Sequence, residues 1–184
     1  MAEDTQDQQQ TTAAPVPSQA PLPKGVVLDK DGKPCRSCSS GAAFAAWASQ
    51  AKKKTVIKAD TASRPAPAPP RKDCPPDVEA LGRSSWTLLH SIAATYPTSP
   101  TISQQNDITS FMRLFSKLYP CWVCAEDFQA YITKEKIRAG SRDEFGNWLC
   151  EAHNEVNRKL GKPTFDCSRW QERWKDGWKD GSCD

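Results

Sequence analysis

The chain has 184 residues, the length of one ordinary domain, but its composition divides it. Eleven of the 15 prolines lie before residue 77 and 14 of the 16 aromatic residues after residue 85, so residues 1–73 cannot build much of a core. Residues 1–73 carry 11 Lys/Arg against 7 Asp/Glu and residues 74–184 carry 14 against 15; a folded part so close to neutral argues against a nucleic-acid partner, and no apolar run is long enough to insert into a membrane.

Glu3, Asp4 and Asp7, with no Lys or Arg before Lys24, fit neither a secretory signal nor an Arg-rich transit peptide. Residues 1–28, rich in Gln, Thr, Ala and Pro, read as disordered. At 29–38, DKDGKPCRSC sets a turn signal directly before the pair Cys35 and Cys38, and Phe44 to Trp47 marks a short apolar patch suited to a marginal helix. The basic run Lys52–Lys54 reads as a solvated linker segment, and RPAPAPPRKD closes the arm as a proline-stiffened stretch.

From residue 77 the apolar period becomes helical. Val78, Leu81, Leu88, Leu89, Ile92 and Tyr96 form one stripe ending at Pro97, and Ile108, Phe111, Met112, Phe115, Leu118 and Tyr119 form a second ending at Pro120. A third helix is predicted from Cys121 through Phe128 to Ile132. A fourth starts at Ser141, whose spacing to Glu144 fits a capping box, and stops at Gly161 and Pro163. Trp170, Trp174 and Trp178 predict a short final helix. The fold class is therefore all-α: a four-helix bundle plus a short fifth helix over residues 74–184, preceded by a disordered arm over residues 1–73.

Eight cysteines carry the chemistry. A Cys-x-x-Cys pair serves either a closed zinc site or thiol–disulfide exchange. Cys121 and Cys124 follow Pro120 at a predicted helix N-terminus, where the dipole favours a thiolate; that position suits exchange, and no metal site is assigned. Cys150 and Cys167 flank a Gly-x-Pro turn, and a disulfide between them would close a loop of about 17 residues and stabilise by roughly 3 kcal/mol; two buried free thiols are the alternative. Cys74 and Cys183 sit outside the two ends of the domain and could pair within the chain, pair across a dimer or stay free. No Gly-x-Gly-x-x-Gly or P-loop is present, so a nucleotide cofactor would have to be held by side chains inside the bundle, where His90 and His153 are the only histidines.

These residues carry a family resemblance. GRSSWTLLH at 82–90, YPCWVC at 119–124, CEAHNEVNRKLGKPTFDC at 150–167 and RWKDGW at 173–178 resemble the FAD-dependent sulfhydryl oxidases typified by augmenter of liver regeneration, almost continuously over residues 74–184. DGKPCRSC at 31–38 resembles the N-terminal shuttle arm of the long mitochondrial members; the endoplasmic-reticulum members carry their shuttle pair after the domain.

The resemblance implies a homodimeric, FAD-binding thiol oxidase. Cys121 and Cys124 would be the catalytic pair, Cys124 nearest the flavin and Cys121 the sulfur attacked in exchange; Cys35 and Cys38 would be the shuttle. Cys150–Cys167 would be a structural disulfide and Cys74–Cys183 an intersubunit one. Flavin contacts would come from Gly82, Arg83, Trp86, His90 and Tyr96 on the first helix, with Asp127 a further candidate on the third. The fourth would supply Cys150, His153, Asn154, Val156, Asn157, Arg158 and Lys159, with Lys162 just after it. Arg173, Trp174 and Lys175 would complete the site. Aromatic faces suit a flat ring system, and Lys and Arg suit a pyrophosphate. Between the catalytic cysteines stand Trp122 and Val123, where several relatives carry acidic residues.

The implied partner is the Cys-Pro-Cys oxidoreductase that imports cysteine-rich proteins into the mitochondrial intermembrane space, with oxygen or cytochrome c as electron acceptor. The 36-residue stretch from Cys38 to Cys74 reaches roughly 33 Å as a random coil, enough for the arm to visit an active site. A non-catalytic, disulfide-stapled signalling module and a zinc-binding scaffold are the competing readings.

Overall fold

The computed structural model describes residues 22–53 and 74–183. Its helices are α1 (Gly41–Lys53), α2 (Val78–Thr95), α3 (Ile102–Leu118), α4 (Trp122–Lys134) and α5 (Arg142–Lys159). A tail follows, made of a 3-10 turn at Cys167–Arg169 and a wider π-type turn at Glu172–Asp176. Among the described residues no helix is long and apolar enough to cross a membrane, and the only β pairing is a bridge between Leu28 and Pro34.

Each bundle helix begins on a polar cap. The carboxylate of Asp77 accepts the Ala80 N–H at 2.8 Å, and the hydroxyl of Ser141 accepts the Glu144 N–H at 3.1 Å. The full reciprocal box lies elsewhere: Thr101 Oγ1 accepts the Gln104 N–H, and Gln104 returns its side-chain oxygen to the Thr101 N–H. Asp143 and Glu144 in the first turn of α5 and Arg158 and Lys159 in its last complement the helix dipole. Gly161, at φ +66°, stops α5 in a Schellman turn, with its N–H on the Arg158 carbonyl and the Lys162 N–H on the Asn157 carbonyl.

The helices pack as α2 against α5 and α3 against α4, and the tail covers α2. Leu89, Ala93, Ile108, Met112, Phe145, Trp148 and Leu149 fill the core between them. Loop carbonyls are tied in by core side chains: Tyr96 donates its hydroxyl to Ala139 and Trp148 its indole N–H to Glu135. Gln129 on α4 reaches the Ser116 carbonyl of α3 at 3.2 Å.

The expected four-helix bundle is present, and two details depart from expectation. The short final helix is present as a continuous run of 3-10, α and π turns over 167–176 carrying Trp170 and Trp174, but Gly177 at φ +82° ends it and sends Trp178 off the coil to stand 6.4 Å from Phe165. Leu88 and Leu118, placed on the inward stripes, are 55 % and 78 % exposed. The arm is also more ordered than its composition suggests between residues 22 and 53. Val27 takes the Cys35 N–H, and Asp29 both donates its backbone N–H to the Lys33 carbonyl and accepts two backbone N–H groups on its carboxylate, closing a small hairpin. The marginal helix expected near Phe44 is α1. Residues 1–21 and 54–73 lie outside the described residues.

Candidate active site

Pro120 ends α3's exit and Cys121 caps α4, its Sγ accepting the Cys124 N–H at 3.4 Å. Cys121 and Cys124 are joined as a disulfide across the first turn of the helix, with Cα atoms 5.3 Å apart. The cap position matters chemically: when the pair is reduced, the unpaired N–H groups of the first turn and the dipole stabilise a thiolate there. Cys121 is wholly buried and Cys124 half-buried, so in this oxidised form the sulfur expected to be attacked is the less accessible.

One turn beyond Cys124, Phe128 stands edge-on to Trp86 of α2, with ring centroids 6.3 Å apart. Trp86 stacks face to face on His153 of α5 at 4.1 Å, and His90 of α2 stacks on Trp174 of the tail at 4.4 Å. The two imidazoles join these stacks through His90 Nε2 and His153 Nδ1, 3.1 Å apart. Helical spacing builds this group: Trp86 and His90 are four residues apart on one face of α2. Burial pushes the His90 imidazole down to about 3, with His153 and Arg173 adding to the effect, and pushes His153 down to about 4, with Lys162 adding. Both rings are therefore neutral at physiological pH, and one donates to the other.

The buried Nδ1 of His90 has no hydrogen-bond partner. Whichever tautomer His90 adopts, this atom is a donor or an acceptor left wanting, a costly state in a buried site and one that a polar ligand atom would relieve. Gly82, one turn before Trp86, faces open space where a Cβ would stand. Cations stand near: Arg173 lies over the Trp174 ring at 4.4 Å, and the charge of Lys162 acts on His153. Flat aromatic faces, an unsatisfied imidazole nitrogen and neighbouring cations fit FAD.

The remaining expected contacts divide. Arg83 is exposed on α2; Lys159 pairs with Asp127, Arg158 with Glu155 and Lys175 with Asp176, all at the surface. Val156 and Asn157 are half-buried on the last turns of α5, where Asn157 also terminates the helix. Tyr96 is not brought to the stack: it lies in the core against Phe145 with its hydroxyl spent on Ala139. Asn154 is occupied as a clamp, donating to the Phe165 carbonyl and accepting the Phe165 N–H, both at 2.8 Å. That clamp holds the segment leading to Cys167, which is bonded to Cys150 with Cα atoms 5.8 Å apart. Cys35 and Cys38 form the third disulfide, and Cys74 and Cys183 are exposed free thiols. Phe128, expected from the sequence only as a helical residue, also faces the site, and its spacing of four from Cys124 is the signal for that.

A disulfide at a helix N-terminus, linked through Phe128 to a stack of aromatic rings and imidazoles around the buried His90 inside a helical bundle, is the arrangement of a thiol oxidoreductase with a place for a flat cofactor. The family model described as "Erv1 / Alr family" matches residues 83–175, and the chain belongs to that family. It is 44 % identical over 161 residues to the mitochondrial FAD-linked sulfhydryl oxidase ERV1 of Saccharomyces cerevisiae, covering 80 % of this chain and 85 % of the relative. The corresponding oxidase of Schizosaccharomyces pombe is 40 % identical over 80 % of this chain and 90 % of its own length. Among solved structures, the yeast Erv1 core superposes with a TM-score of 0.58 at 54 % identity, covering 64 % of this chain and all of that one. The FAD-binding domain of S. cerevisiae Erv1 gives 0.55 at 57 % identity over 56 % and 98 % of the two chains. By family and homology the chain is a FAD-linked sulfhydryl oxidase, a thiol oxidase enzyme, homologous to mitochondrial Erv1.

Proposed function

We propose that this oxidase makes disulfides in partner proteins of the mitochondrial intermembrane space, with Cys35 and Cys38 as its shuttle and Cys121 and Cys124 as its catalytic pair. The observation that carries the reading is the disulfide capping α4, linked through Phe128 to the Trp86, His153, His90 and Trp174 stack. Two units divide the work, an arm over residues 1–73 and an oxidase domain over residues 74–184.

Exchange on this pair balances as follows. A thiolate of the reduced shuttle attacks Sγ of Cys121, forming a mixed disulfide and releasing the Cys124 thiolate at the positive end of α4. The second shuttle thiol then displaces Cys121, leaving the shuttle oxidised and the catalytic pair reduced by two electrons. FAD, when bound, would supply the two-electron acceptor for the reduced pair, with oxygen or cytochrome c as the final acceptor. Trp86, His90, His153 and Trp174 would hold its rings, and Arg83, Arg158, Lys159, Lys162, Arg173 and Lys175 supply positive charge for its phosphates. Neutral histidines suit the site because they hydrogen-bond without adding charge next to a ring system whose charge changes.

The oxidase acts as a homodimer. Leu88 on α2 and Ile102, Leu114 and Leu118 on α3 are each more than half exposed on a single chain, and a second copy would cover such apolar side chains. The exposed thiols of Cys74 and Cys183 are free to bond between subunits. The shuttle's substrate is the import oxidoreductase with the Cys-Pro-Cys motif.

The test compares two substrates on the purified FAD-bound enzyme. Replacing both Cys35 and Cys38 with Ser should leave dithiothreitol oxidation in place and slow oxidation of the protein partner; an unchanged partner rate would refute the shuttle. A protein that stays colourless after incubation with FAD and carries zinc instead would overturn the whole reading.

A further inference from the structure

The tail runs back along α5 before it crosses to α2, and four contacts hold it there in antiparallel order. Asn154 clamps the backbone of Phe165, Cys150 is bonded to Cys167, the Trp170 indole lies against Gly146, and the Gln171 side chain donates to the Asp143 carboxylate. Gly146, Cys150 and Asn154 are four residues apart, so they form one stripe of α5. Past Trp170 the chain turns onto α2, where Trp174 stacks on His90 at 4.4 Å. Where Trp174 lands on α2 is therefore decided by how the tail sits on α5.

The closest of the four contacts is the one at Gly146. A Cβ there would stand 2.5, 2.6 and 2.7 Å from Cζ2, Cε2 and Cη2 of the Trp170 indole, far inside the 3.4–4 Å of ordinary contact. The ring thus lies directly on the backbone of α5. Trp170 is 2 % exposed and Gly146 is buried, so the indole has no free space to yield into. Glycine is among the poorest residues in a helix interior; the helix does not call for it at this position, and the close approach of the ring does. Trp170 is one turn before Trp174, no glycine or proline stands between them, and Arg173 lies over the Trp174 ring at 4.4 Å.

We propose that Gly146 is a positioning residue for the cofactor: it gives the Trp170 indole a seat on α5, and the seated tail lays Trp174 and Arg173 on the His90 side of the stack. This rests on the reading of the stack as the place of the FAD rings. A side chain at position 146 would lift Trp170. The Cys150–Cys167 disulfide and the Asn154 clamp fix the tail one to two turns along α5, so it cannot slide to make room and must tilt about that anchor. The tilt carries Trp174 away from His90, whose buried Nδ1 is the unpartnered atom of the site.

The test strips FAD from the full-length protein with its disulfides intact and titrates it back, following the flavin's fluorescence. Gly146→Ala should raise the Kd for FAD by about two- to tenfold, the worth of one aromatic stack, and change the visible circular dichroism of the bound flavin. In a Trp174→Ala background the same change should add less than about twofold, because its route to the cofactor is gone. Should Gly146→Ala fail to fold, Trp170→Ala, which withdraws the seated ring without a clash, should raise the Kd by the same factor. A Gly146→Ala protein with a lower thermal midpoint but the parent's Kd and spectrum overturns the proposal, because the seat would then serve packing alone. An equal rise in Kd with and without Trp174 overturns it as well, since the effect would travel through α5 itself. If Trp174→Ala leaves the Kd unchanged, the stack is not the flavin's place and that reading falls. If Trp174→Ala weakens binding while Gly146→Ala and Trp170→Ala do not, the site stands and the seat alone is wrong.

Discussion

The molecule carries the same motif twice, and both pairs hold their Cα atoms 5.3 Å apart as disulfides. Around Cys121 and Cys124 everything is fixed: a 13-residue helix, a buried cap and a chain of rings leading through Phe128 into the bundle. Around Cys35 and Cys38 there is a three-residue 3-10 turn on a small hairpin, held to the domain chiefly by a handful of hydrogen bonds to backbone carbonyls and N–H groups. Spacing alone does not tell an acceptor from a carrier. A group that must hold one geometry toward a cofactor is built into a packed core, whereas a group that must leave and return is held by contacts each worth about 1 kcal/mol.

The largest effect that separates the two pairs is chemical. Cys124→Ser should remove thiol oxidation of every substrate, dithiothreitol included, by about a thousandfold or more, because nothing replaces the thiolate at the head of α4. Residual turnover close to that of the parent would mean that the shuttle pair can bypass the bundle pair, and the division between carrier and acceptor would collapse.

The third disulfide sharpens the same contrast from the side of stability. Cys150 and Cys167 are 17 residues apart, and their bond holds the tail, whose Trp170 is buried against Gly146, onto α5. Replacing both with Ser should cost about 3 kcal/mol and lower the thermal midpoint by roughly 10 °C or more. Replacing both Cys35 and Cys38 should leave the midpoint of the bundle nearly where it was. Calorimetry on the two double variants makes the comparison directly, and equal losses would show that the arm is part of the cooperative unit.

How far the sequence foretold these features depends on what kind of signal each leaves. The boundaries of α2 to α5 were legible because Pro97, Pro120, Ser141 and Gly161 act locally, through a missing N–H, a capping hydroxyl or a free φ. The short final helix follows from the spacing of Trp170 and Trp174, whereas Trp178 keeps the same spacing yet lies outside the helix, because a single glycine at φ +82° ends the coil before it. The Thr-x-x-Gln at Thr101 and Gln104 and the Ser-x-x-Glu at Ser141 and Glu144 carry the same signature, yet only the first closes reciprocally. Of the site, the Trp86 and His90 pair follows from a spacing of four on α2, and Cys121 from its place after Pro120. The hydrogen bond from the Trp122 indole to the Leu28 carbonyl had no sequence signal, because its acceptor is a backbone atom that any residue would provide.

The smallest predicted effect lies in pH, and only the bundle should show it. The chain's two histidines both stand in the stack, and none is in the arm. Folding lowers His90 from 6.5 to about 3 and His153 to about 4, with burial the leading cause for each. Between pH 6.5 and about 4 the unfolded chain therefore binds protons that the folded one refuses, so stability falls as the pH falls, by at most about 1.4 kcal/mol per pH unit for His90 and by less for the partly exposed His153. Below about pH 3 the folded rings take up protons as well and this loss levels off. The thermal midpoint of the FAD-free protein should accordingly drop from pH 6.5 to pH 5, a range above the ordinary titration of Asp and Glu. His90→Gln keeps a polar side chain opposite His153 and should make that drop shallower by about half. Superimposable profiles for the parent and His90→Gln would mean that the stack opens to water, and the unpartnered Nδ1 could then no longer count as a mark of the cofactor's place.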